Sequence, residues 1–87
     1  MTTAIILINV NRVMLKKVTE EVKKISGVTE VYTVAGEYDL VAMLKLKDMS
    51  CLSRILTESM SHIDGISRTK TLLTLEVTSD KRTCQCI

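Results

Sequence analysis

Tryptophan and phenylalanine are absent from this 87-residue chain, and tyrosine occurs twice. Without a cluster of rings there is no platform on which nucleobases stack. Charge of one sign is also scarce. Twelve Lys and Arg against ten Asp and Glu leave a formal net charge of +2, too little to argue for a nucleic-acid partner. No apolar run approaches the roughly 18 residues of a membrane span. Met1-Thr2-Thr3-Ala4 enters a short apolar stretch without the basic flank and cleavage site of a secretory signal. The expectation is a soluble, cytoplasmic protein with no membrane partner.

The cysteines are odd in number. Cys84 and Cys86 sit too close in sequence to bridge each other easily, and Cys51 lies far from both. Reduced thiols in a cytoplasm fit this count. Cys84-Gln85-Cys86-Ile87 has two thiolates for a soft metal but no third ligand nearby, and its middle residues are not the aliphatic pair of a prenylation box. His62 is the single histidine and has no partner for a metal or base role. No glycine-rich phosphate loop, nucleophile elbow or carboxylate pair with a substrate cleft is present. No catalytic residue, metal or cofactor is assigned.

What is present is a globular composition, 46% hydrophobic and 25% charged. Its length suits one small domain, taken as residues 1–78 with a polar tail at 79–87. Residues 4–10 (AIILINV) read as a buried strand. Asn11 is a helix N-cap, and Leu15, Val18, Val22 and Ile25 mark the buried stripe of a helix over 12–25 that ends at Gly27. Residues 28–35 (VTEVYTVA) and 40–46 (LVAMLKL) are two further strands. Gly36 between them suits the first central position of a type II′ hairpin turn. Asp48 or Ser50 can cap a second helix over 51–62, with Leu52, Ile55, Leu56 and Ile63 on its apolar face and Asp64-Gly65 as its stop. Residues 66–77 form the last strand.

The order β-α-β-β-α-β predicts an α+β, ferredoxin-like domain: a four-stranded antiparallel sheet with two helices on one face. AIILINV and LVAMLKL are apolar on both sides of the strand, yet two helices cover only one side. The uncovered face predicts a dimer in which two sheets pack together, because soluble monomers rarely expose a large apolar patch.

Two features carry candidate binding chemistry. Gly36-Glu37-Tyr38-Asp39 brings a carboxylate, a phenol and turn amides together. Turn chemistry alone also accounts for these four residues. Thr69 and Thr71 alternate onto one face of the last strand, where two hydroxyls can bond a small polar ligand, although Thr is also simply a good strand residue.

GEYDLVAMLKLKDMS over 36–50 and GISRTKTLLTLEV over 65–77 resemble the C-terminal half of the Lrp/AsnC transcription regulators, the RAM module for regulation of amino-acid metabolism. The resemblance covers about residues 3–78. It rests on Gly36, Tyr38 and Asp39, on the helix start at Asp48-Met49-Ser50, and on the spacing Gly65-(x)3-Thr69-x-Thr71. It implies a dimeric α/β-barrel whose dimers join into rings, commonly octamers, with amino acids bound between dimers. Carried onto matching positions, the ligand-binding candidates are Gly36, Tyr38, Asp39, Thr69 and Thr71. The helix-turn-helix that reads DNA in a full-length regulator has no counterpart here. With an initiator Met just ahead of the first strand, the expectation is a stand-alone RAM module that binds no DNA directly and modulates a full-length regulator or another partner. Two other readings share the plan. One is a structural co-assembly partner without a ligand. The other is a small dimeric α/β-barrel enzyme, which needs polar or haem-ligating groups where these strands are aliphatic.

Overall fold

The structure is a computed structural model and describes residues 2–74. The end of the predicted last strand (75–77), the tail at 79–87, Cys84 and Cys86 lie outside the described residues. The elements run β1 (Thr2–Val10), α1 (Leu15–Lys23), β2 (Val28–Thr33), β3 (Leu40–Leu46), α2 (Met49–Arg54) and β4 (Ile66–Leu73). All pairings are antiparallel and the strand order is β2-β3-β1-β4. This is the ferredoxin-like plan expected from the pattern. Isoleucine-rich β1 holds a central place because both of its sides are hydrogen-bonded.

Residues paired across the ladder share a face. Ala4, Ile6 and Ile8 oppose Leu44, Ala42 and Leu40, and all six are fully buried with Val18 and Val22 of α1. Leu52, Ile55 and Met60 close the same core from the second helical segment. Burial of each large side chain contributes about 1.5–3 kcal/mol. On the other face Ile5 opposes Met43 and Leu72, Leu7 opposes Val41 and Lys70, and Tyr32 opposes Val41. No described helix covers that face, and Tyr32 and Leu72 are exposed there at 47% and 42%.

The helices depart from the predicted spans at their ends. Asn11 caps as expected, its Oδ1 accepting from the Val13 N–H at 3.3 Å, but the first turn, Arg12–Met14, is a 3-10 turn. The first helix proper ends at Lys23, capped by Lys24, so Gly27 belongs to the turn into β2 and not to the helix end. The second helix starts at Asp48. Its Oδ1 accepts from the amides of Ser50 and Cys51 and from the Ser50 hydroxyl. Those bonds, the Ser50 hydroxyl first and the Cys51 amide next, hold the carboxyl below its ordinary range. The predicted helix over 51–62 is three pieces: Met49–Arg54 is α-helical, Ile55–Ser59 is a π turn and Met60–His62 a 3-10 turn. The wider turn brings residues five apart nearly into line, so Ile55 and Met60 both reach the core. Met60, four residues after Leu56 and three before Ile63, also fits the apolar stripe of a regular helical period.

Gly65 has φ +104° and sits where an added Cβ would lie 3.0 Å from both Met14 Cβ and Val18 Cγ2. Gly36 has φ +149°, and a Cβ there would meet nothing within 4 Å. Alanine suffers the backbone penalty at both sites but overpacking only at Gly65. Gly65→Ala is therefore expected to destabilise the fold by about 1–3 kcal/mol more than Gly36→Ala, read from urea unfolding midpoints. Equal losses would contradict the packing at Gly65.

Candidate functional site

The link between β2 and β3 is built differently from a two-residue hairpin. The ladder ends at the pair Thr33 and Leu40, and the Val34 N–H then donates to the Asp39 carbonyl at 3.0 Å. Four residues, Ala35 to Tyr38, complete the loop. Gly36 thus does not occupy the first central position of a type II′ turn. The predicted turn gives way because Asp39 is drawn onto β1. Its N–H donates to the Ile8 carbonyl at 2.9 Å, and its Oδ2 accepts from the Val10 N–H at 2.8 Å. β3 begins opposite Ile8, so the Val10 amide has no backbone acceptor on that side, and the carboxylate supplies one. Among the described residues, Oδ1 of Asp39 has no hydrogen-bond partner.

Tyr38 turns toward the face opposite the helices. The Arg68 guanidinium carbon lies 5.8 Å from the centre of its ring, within cation–π range. With its amide oriented to satisfy both neighbours, Asn9 donates to the Glu37 carbonyl at 2.7 Å and accepts from Arg68 at 3.2 Å. Arg68 faces Asn9 across the ladder between β1 and β4. A short polar network therefore runs from the loop, across the end of β1, to the start of β4.

Two clefts flank this end of the sheet. One, of about 420 Å³, is lined by Val10, Arg12, Leu15, Val34, Gly36 and Asp39 together with Thr33 and Ala35. The other, of about 380 Å³, lies between β4 and the end of the second helical segment, with Leu56, Met60 and Ile63 on one wall and Arg68, Thr69 and Thr71 on the other. Thr69 and Thr71 oppose Ile8 and Ile6, so they lie on the helix-covered face at the sheet's edge. The five residues proposed from the sequence are therefore divided within one protomer. Gly36 and Asp39 line the first cleft, Thr69 and Thr71 line the second, and Tyr38 lines neither. Both volumes fall in the roughly 300–1,000 Å³ range of small-molecule sites.

Three residues escaped the sequence reading. Arg12 joins Gly36 and Asp39 only through tertiary structure, and nothing in the local pattern signals it. Arg68 lies inside the last strand, where nothing in the local pattern sets it apart. Asn9 carried a signal: it is the polar interruption of the apolar series Ile5, Leu7, Asn9 on one face of β1.

Elsewhere, a cleft of about 350 Å³ at the opposite end of the sheet gathers Lys45, Lys47, Arg54 and the half-buried Cys51. Among the described residues, no group of three His, Cys, Asp or Glu side chains is placed to hold a metal, and His62 is exposed. The two ion pairs among these residues are local to helical segments and exposed: Lys23 with Glu20 at 3.2 Å and Arg54 with Glu58 at 3.8 Å. No described helix is long and apolar enough to cross a membrane.

Comparison with known proteins gives this geometry a family. Residues 3–83 match the family model of the Lrp/AsnC ligand binding domain. An HTH-type transcriptional regulator of Pyrococcus abyssi is 30% identical over 83 residues, which is 92% of this chain and 55% of that protein. Another, from Pyrococcus furiosus, is 33% identical over 75 residues, 83% of this chain and 50% of its own length. The chain thus spans about half the length of these curated relatives. Among solved structures, a Thermus thermophilus protein is 35% identical with a TM-score of 0.87, covering 92% of this chain and 100% of that one. Escherichia coli AsnC shares the fold at a TM-score of 0.86 and 20% identity, over 94% of this chain and 56% of its own. With the family model matched across most of its length, the chain belongs to the Lrp/AsnC ligand-binding domain family, the RAM modules of transcription regulators.

Proposed function

We propose that the chain is a non-catalytic, oligomeric module that binds a free amino acid or a close relative and modulates transcription regulation in the cytoplasm without reading DNA itself. The observation that carries this reading is the cleft at Gly36 and Asp39 in a domain of the ligand-binding family. A carboxylate, glycine-loop amides and apolar walls of Val10, Leu15 and Val34 suit a small zwitterion better than a large or purely apolar ligand. A transcriptional regulator of Neisseria meningitidis with the same fold, 15% identical, was solved as a complex with L-Met. An enzyme reading gains no support from core strands lined by Ala4, Ile6, Ile8, Ala42 and Leu44.

Self-association belongs to the same reading. The open face presents Ile5, Leu7, Tyr32, Val41, Met43 and Leu72 as one surface, larger than a lone soluble protomer tolerates comfortably. A second copy covers it by packing sheet on sheet, and such dimers join into a ring. Gly36 and Asp39 line a different cleft from Thr69 and Thr71. A ligand that touches both sets therefore bridges neighbouring copies. A full-length Lrp/AsnC regulator is the proposed partner for mixed assemblies.

Light scattering is expected to give at least twice the protomer mass at micromolar concentration. Met43→Lys should abolish the dimer or unfold it, because an unpaired charge would be buried between sheets, at a cost of several kcal/mol. A folded wild-type monomer would refute the assembly. Calorimetry with the twenty amino acids is expected to find at least one ligand. Asp39→Asn keeps an oxygen for the Val10 N–H while removing the charge, so it should fold normally and lose about 1.5–3 kcal/mol of binding. If no amino acid bound the assembled wild type, the sensor reading would yield to that of a ligand-free co-assembly partner.

A further inference from the structure

Arg12 is a charged side chain with no assigned task. Its backbone is fixed: the Asn11 N–H donates to the Gly65 carbonyl at 2.8 Å, and the Met14 N–H donates to the Asn11 carbonyl at 2.8 Å. Its side chain is exposed and joins no ion pair among the described residues. It lines the same cleft as Gly36 and Asp39 without closing onto the Asp39 carboxylate. That carboxylate is itself immobilised, because its Oδ2 is held by the Val10 N–H at 2.8 Å while Oδ1 is left unpartnered among the described residues. The cleft therefore holds one cation and one anion that are not paired with each other, and its lining also includes the apolar Val10, Leu15 and Val34.

We propose that Arg12 is the carboxylate-binding residue of this cleft, paired in function with Asp39 as the ammonium-binding residue. This rests on the amino-acid-binding reading above and adds the group that selects the acid. A guanidinium offers two parallel N–H donors that match the two oxygens of a carboxylate. Asp39 Oδ1 accepts from the ammonium. An α-amino acid carries its ammonium and carboxylate on one carbon, so it can meet Asp39 and Arg12 at once. A carboxamide of the same amino acid keeps the ammonium and the side chain but offers no charge to Arg12. The fixed backbone at Asn11 and Met14 limits the ordering cost of binding to the Arg12 side chain.

The test uses the full chain in its assembled state, titrated with the twenty amino acids and, for each that binds, its α-carboxamide. The wild type is expected to prefer acid over amide by about 10- to 100-fold. Arg12→Gln should erase that preference while leaving amide affinity within about 2-fold. Arg12→Lys, which keeps the charge and loses the paired donors, should retain part of it. Asp39→Asn should weaken acid and amide alike. Circular dichroism checks that the substitutions at exposed Arg12 and half-buried Asp39 leave the fold intact. An acid preference that survives in Arg12→Gln overturns the role of Arg12 while leaving amino-acid binding standing. Absence of binding by all twenty to the wild type overturns both readings together.

Discussion

The end of the sheet that carries the proposed site depends on the grip of Asp39 on β1. Among the described residues, β1 is the strand hydrogen-bonded to both β3 and β4. Where β3 has not yet begun, the Asp39 carboxylate takes the place of a missing strand carbonyl and accepts the Val10 N–H. That bond satisfies an amide that would otherwise lose its partner, and it fixes the loop bearing Gly36 against the turn bearing Arg12. The same aspartate thus shapes the cleft and supplies its negative charge. A residue that braces a loop with one oxygen and presents the other is preorganised: its position is set before any ligand arrives.

On the opposite face a second linkage ties the loop to the rest of the sheet. Asn9 joins Glu37 to Arg68, and Arg68 lies over Tyr38. These residues end the surface formed by Ile5, Leu7, Val41 and Met43, where we propose a second copy packs. The loop therefore touches the cleft proposed for the ligand through Gly36 and Asp39, and the proposed assembly surface through Glu37 and Tyr38. The two outer residues of one four-residue segment meet the cleft, and the two middle residues meet the network on the open face.

Much of the fold was legible because it follows from periodicity. The short, almost wholly apolar runs AIILINV and LVAMLKL identified β1 and β3, and the two-residue period of a strand put apolar side chains on both faces. Asn11 and Asp48 were readable as caps because each has a short side chain that reaches an amide two residues on. The π turn was not readable, since Leu52, Ile55, Leu56 and Met60 fit the spacing of a regular helix equally well. Gly36 was read correctly as a turn glycine and wrongly as the corner of a two-residue hairpin, because the pull of Asp39 onto β1 is a tertiary contact between residues 29 apart. The site was legible in part for the same reason. Gly36, Tyr38 and Asp39 fall within four consecutive residues, so a motif announces them. Arg12 reaches the same cleft, and Asn9 the same loop, only after β1 has paired with β3. Thr69 and Thr71 alternate onto one face as expected, but β1 stands between them and the loop.

The central claim is that the cleft between Arg12 and Asp39 is the effector site. Backbone amide chemical shifts of the assembled protein, followed while the tightest-binding of the twenty amino acids is added, test it most directly. The account predicts that the largest changes fall on Val10, Arg12, Gly36 and Asp39, with the Val10 amide moving because its acceptor is the carboxylate that meets the ligand. Saturable changes confined to the distant cleft at Lys45, Lys47 and Cys51, with the Val10 and Gly36 amides unmoved, would contradict it.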